Sequence, residues 1–128
     1  MLGLPFPAGR HVDQLSREAS NQDVFRVKCP GMQFSLSGVE NKVRDYYKKN
    51  SREETAAFAL RCVIQAVSAA TRNAQKEYPG LPVVFSGGVA SNSLLREMTA
   101  DLKPVFSEPQ YARDNAMGVA VLTHRLSE

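Results

Sequence analysis

The stretch Ser51-Arg52-Glu53-Glu54 leaves the chain little choice of conformation. The serine oxygen can accept a backbone N–H three residues on, and the glutamate can reach back to the serine N–H. Together they make a capping box, a helix start signal. The next breaker is Tyr78-Pro79-Gly80, so the spacing predicts one helix from this cap to about Glu77. At 1.5 Å per residue it is roughly 38 Å long. Ala59, Val63, Ala66, Val67, Ala70 and Ala74 form its expected apolar stripe, widened by Phe58, Leu60 and Ile64. Alanine lets neighbours pack close, so a long central helix organises the remainder.

The flanks read less firmly. Residues 1–9 hold two prolines and two glycines and are expected as loop, followed by a short helix over Val12–Ala19. The polar segment Asn21–Gly31 ends in a turn. Gln33–Ser37 alternates as a short strand or extended entry, and a helix is predicted from Val39 to about Lys49. Val83–Phe85 is wholly apolar and β-branched, the pattern of a strand covered on both faces of a parallel sheet. A helix holding Leu94, Leu95, Met98 and Leu102 follows, then a possible strand at Val105-Phe106. Asp114 or Asn115 can cap a last helix to about Arg125. Strand, helix, strand, helix in that order is an α/β signature. One domain over residues 1–128 is expected.

Composition removes several classes. With 43% hydrophobic and 23% charged residues, disordered and membrane classes are not expected. No apolar run approaches the ~20 residues of a membrane span. MLGLPFPAGR lacks the apolar core of a signal peptide and opens in mid-phrase, so a fragment of a longer protein is expected. Cys29 and Cys62 stand far apart and read as reduced thiols of a cytoplasmic protein. His11 and His124 are the only histidines, and no H-x-x-x-H or H-E-x-x-H pairs them, so the chain supplies no complete zinc or iron site by itself.

The most informative junction is Val83–Glu97. Gly87-Gly88 follows the apolar run and precedes a helix, at the carboxyl edge of the expected sheet, where open α/β sheets bind ligands. Asn92 stands at the mouth of this turn. Its amide can offer a donor and an acceptor to a ribose or base. The plainer alternative is a tight turn with Asn92 or Ser91 as the helix cap. The string is neither a P-loop nor a dinucleotide fingerprint. Lys42, Arg44, Lys48, Lys49 and Arg52 form a basic run opposed by Asp45, either a contact for nucleic-acid phosphates or a solvated helix face.

SGGVASNSLLRE resembles the A-G-G-V-x-x-N-x-x-L-R signature of the tRNA threonylcarbamoyladenosine transferases, also called O-sialoglycoprotein endopeptidases or glycoproteases. LGLPFPAGRHVDQL resembles the family's L-G-L-x-Y-P-G-G-P, FSLSGVENKV its F-S-F-S-G-L-K-T, and EPQYARDNAMGVA its P-x-x-x-C-T-D-N-A-A-M-I-A. The four phrases keep the family's order. The resemblance implies most of the second lobe of an actin-like ATPase (ribonuclease H-like) fold, with nucleotide in the cleft between two lobes. Gly87, Gly88 and Asn92 would contact the adenosine side, Gly9 the threonylcarbamoyl-adenylate, and Asp114 a divalent metal, iron or zinc. Two histidines of the first lobe would complete that metal site.

The implied reaction moves a threonylcarbamoyl group to N6 of adenosine 37 in tRNA, with partner proteins of the tRNA-modification complex. The chain alone is expected to hold neither metal nor nucleotide and to lack catalysis. It is also expected to self-associate through an exposed cleft face. A non-catalytic nucleotide-binding or partner-docking module is the alternative, and metal-dependent glycoprotease activity ranks lowest. Four positions depart from the pattern. Ala8 replaces the first glycine of P-G-G-P, Glu40 replaces a lysine, and Ala112-Arg113 stand at Cys-Thr beside Asp114, where Arg113 would oppose a bound cation.

Overall fold

The computed structural model describes residues 2–108 and 123–125. Its helices are α1 (Ala8–Ser16), α2 (Val39–Tyr47), α3 (Arg52–Glu77) and α4 (Ser93–Met98). Its strands are β1 (Val84–Phe85) and β2 (Val105–Phe106). Short 3-10 turns cover Gly88–Ser91 and Ala100–Leu102. No helix among the described residues is long and apolar enough to cross a membrane.

α3 begins and ends where its sequence signals lie. Ser51 Oγ accepts from the Glu54 N–H at 3.2 Å, and Glu54 Oε2 accepts from the Ser51 N–H at 3.1 Å. α1, α2 and α4 all pack against α3. The helix is therefore buried on more than one side, and the expected single stripe gives way to two faces. On one, Phe58, Cys62 and Ala66 join Val27, Val39 and Val43 in the hydrophobic core, with Tyr46 and Ala59 against it. Tyr46 stacks on Phe58 at 4.2 Å between ring centroids, and its hydroxyl donates to Asp23 Oδ2 at 2.6 Å. Ile64, fully buried, lies outside that cluster, while Val67, Ala70 and Ala74 are only half-buried.

Residues 25–31 run alongside α3 without forming a strand. Their backbone groups are satisfied by side chains of the helix. The Phe25 N–H donates to Cys62 Sγ at 3.3 Å, and the Val27 N–H to Gln65 Oε1 at 2.9 Å. Further along, Asn73 Nδ2 donates to the Gly31 carbonyl. This lacing holds Val27 in the core. Both cysteines are free thiols, and burial pushes the Cys62 thiol above its ordinary pKa.

Several local expectations change. α1 starts at Ala8, earlier than the expected Val12, because Pro7 sits at its N-cap in an extended conformation and its fixed ring suits a helix start. No strand forms over residues 33–37. β1 and β2 pair in parallel, Val84 opposite Val105 and Phe85 opposite Phe106, as the α/β pattern requires. The strand run is not covered on both faces, however. Val84 is 64% exposed and Val105 60%, so only the phenylalanine face is packed. There Phe85 stacks on Phe106 at 5.1 Å, and the Arg96 guanidinium lies 4.1 Å over Phe106. The last expected helix lies largely outside the described residues.

Candidate functional site

The crossover from β1 to β2 begins with Gly87 at φ +95°, ψ 174°. That backbone conformation is open to glycine and strained for any residue with a Cβ. It turns the chain out of the strand and into the 3-10 turn. A Cβ on Gly9, Gly87 or Gly88 would meet no atom within 4 Å, so open space lies over all three backbones.

That space is a cavity of about 740 Å³. Its floor is the α3 face of Leu60, Val63 and Ile64. One wall is the start of α1, with Pro7, Gly9, Arg10 and Asp13. The other is the glycine turn, with Gly87, Gly88, Val89, Ser91 and Asn92. Gly9, Gly87, Gly88 and Asn92, singled out in the sequence from two distant phrases, thus line one cavity. The volume suits a small organic ligand, and an apolar floor with a few polar groups is the usual make-up of such sites.

Asn92 serves as the cap of α4. Its Oδ1 accepts from the N–H groups of Leu94 and Leu95 at 3.0 and 3.3 Å. Its Nδ2 donates to Asp13 Oδ1 at 2.9 Å. The amide oxygen is committed to the helix start, and what Asn92 can offer a ligand is its remaining N–H.

Asp13 went unnoticed in the sequence, and it joins the two walls. Its carboxylate accepts from Asn92, from Ser93 Oγ at 3.0 Å and from Arg17 Nη2 at 3.0 Å. The only sequence signal was an Asp–Arg spacing of four within a short helix, which reads as a surface ion pair. The partners across the chain were invisible at that level. Ser91 Oγ is buried and makes no hydrogen bond.

Two of the five cations of the basic run are paired with carboxylates. Arg44 bonds Glu40 at 2.7 Å and Lys48 bonds Asp45 at 2.7 Å. The Lys48 hydrogen bond holds the Asp45 carboxyl below its usual range. Lys42 lies 5.5 Å from the Phe25 ring centroid, and Arg52 donates to the Leu2 carbonyl. Lys42, Lys49 and Arg52 have no carboxylate partner among the described residues, so both readings of the run stand. Asp114 lies outside the described residues, and among the described residues no three His, Cys, Asp or Glu side chains could together hold a metal ion.

A family model described as tRNA N6-adenosine threonylcarbamoyltransferase matches residues 1–121. Relatives with that name include proteins of Carboxydothermus hydrogenoformans, 35% identical, Streptococcus suis, 31% identical, and Streptococcus pneumoniae, 30% identical. Each alignment covers 94% of this chain and 40% of the relative. The chain therefore spans about two-fifths of the length of the curated relatives it matches.

Proposed function

Because the chain belongs to the tRNA N6-adenosine threonylcarbamoyltransferase family, we propose that it acts as the nucleotide-side lobe of such an enzyme. In this reading it is part of the second lobe of an actin-like fold, and a companion lobe supplies the rest of the cleft. The substrates are tRNA and threonylcarbamoyl-adenylate, in the cytoplasm. The observation that carries the reading is the single cavity lined by Gly9, Gly87, Gly88 and Asn92. Open backbone on three glycines lets a flat base or ribose approach main-chain N–H groups that a Cβ would shield.

Among the described residues no three His, Cys, Asp or Glu side chains could hold a metal by themselves. Asp114 remains the proposed ligand, with further ligands from the companion lobe. What the chain itself contributes is placement. The apolar floor of α3 takes a base, the glycine turn takes polar edges, and the Asp13–Asn92 link fixes the distance between the walls. The cavity is made wholly from this chain. We therefore revise the expectation that the chain alone holds no nucleotide, and infer weak binding, with Kd on the order of 1 mM. Catalysis still requires the companion.

A pair of glycine variants tests this. Gly88 has ordinary backbone angles and no neighbour to clash with, so Gly88→Ala should leave stability within about 0.5 kcal/mol. It should nevertheless lower affinity for adenosine, because the methyl group occupies the cavity. Gly87→Ala should instead cost about 1–3 kcal/mol of stability through backbone strain. Urea unfolding and adenosine titration by NMR separate the two. Unchanged adenosine binding in a folded Gly88→Ala protein would remove the glycine turn from the site.

Self-association of the lone chain is part of the same proposal. Val84, Val105, Leu81 and Val89 are all more than half exposed, an apolar surface of the kind that seeks cover. Dimers or larger species are expected in sedimentation at high concentration. A clean monomer there rejects this.

A further inference from the structure

We propose that Arg10 makes this cavity selective for a ligand carrying an anionic group, a phosphate on the adenine nucleoside, over the neutral nucleoside. The inference rests on the nucleotide reading above and assigns a specificity-determining residue within that site.

Among the described residues, two ionisable side chains line the cavity, Arg10 and Asp13. The Asp13 carboxylate already has a cationic partner in Arg17 at 3.0 Å, and Asn92 and Ser93 donate to it as well. Its charge and most of its acceptor capacity are committed to holding α1 against the α4 cap. Arg10 has no ion pair and no hydrogen bond to any described side chain or carbonyl. Among the described residues the wall therefore carries one uncompensated positive charge, on a guanidinium whose planar fork matches a phosphate or carboxylate.

The position of Arg10 agrees. Arg10 follows Gly9 directly on the first turn of α1, so a ligand resting on the Gly9 backbone lies within reach of the neighbouring side chain. In the family phrase P-G-G-P the position of Arg10 is a proline, which carries no charge. The selectivity is thus a property of this chain's own residue.

The test compares adenosine and adenosine 5′-monophosphate as probes of the 128-residue chain, by NMR titration at low salt. The wild type is expected to bind the monophosphate about 10-fold more tightly, the size of one charge-assisted contact. Arg10→Gln should abolish that preference, lowering monophosphate affinity about 10-fold toward that of adenosine. Arg10→Lys should restore part of it, and circular dichroism should show both variants folded. Equal affinity of the wild type for the two probes overturns the assignment while the nucleotide reading stands. So does a preference that survives in Arg10→Gln. If neither probe binds at 10-fold above the expected ~1 mM Kd, the nucleotide reading fails and the assignment fails with it.

Discussion

Replacing Asp13 with alanine is expected to destabilise the protein by about 2–4 kcal/mol and to open the cavity. The carboxylate accepts three hydrogen bonds, from Arg17, Asn92 and Ser93. Its loss leaves Asn92, a residue only 8% exposed, with an unpaired donor, while the exposed Arg17 guanidinium turns to water. Unpaired buried donors cost about 1–3 kcal/mol, and bonds to charged groups exceed neutral ones. Asp13→Asn keeps an acceptor but not the charge, so it should retain roughly half of the lost stability. Urea unfolding of both variants measures this. A loss below about 1 kcal/mol for Asp13→Ala would mean that the walls are held by packing alone.

The second large effect is Leu95→Ala, at about 3 kcal/mol. Leu95 is 1% exposed on the first turn of α4, which packs on α3. Its N–H stays bonded to Asn92 in the variant, so the change removes apolar contact and leaves the cap intact. A short helix has little stability of its own, and its position depends on this anchor together with the Asp13 link. Val84→Ala is the control. At 64% exposure it should shift stability by no more than about 0.5 kcal/mol. Similar effects for the two would show that α4 is not seated on Leu95.

What the sequence disclosed follows the range of the interactions involved. The capping box at Ser51 and Glu54 acts across three residues, so both its bonds and the start of α3 were readable. The parallel pairing of Val84–Phe85 with Val105–Phe106 followed from the order of elements. The Gly9, Gly87, Gly88 and Asn92 set was reached through family phrases, and physical reading alone left Asn92 divided between cap and ligand contact. Its geometry shows the cap.

Asp13 was missed because its bond to Asn92 spans the fold, and no local periodicity encodes that. The two-faced burial of α3 was missed for a related reason. A helical stripe predicts one packed side, while three helices surround this one. The expected strand at 33–37 failed because alternation alone does not supply a pairing partner.

α1 leans on α3, α4 leans on α3, and Asp13 ties the cap of α4 back to α1. These three connections form a triangle, and a triangle cannot swing the way a hinge does. The Asp13 link restrains the recess it frames from widening. A guest therefore meets walls already tied to each other, and less ordering of the host is charged against its affinity.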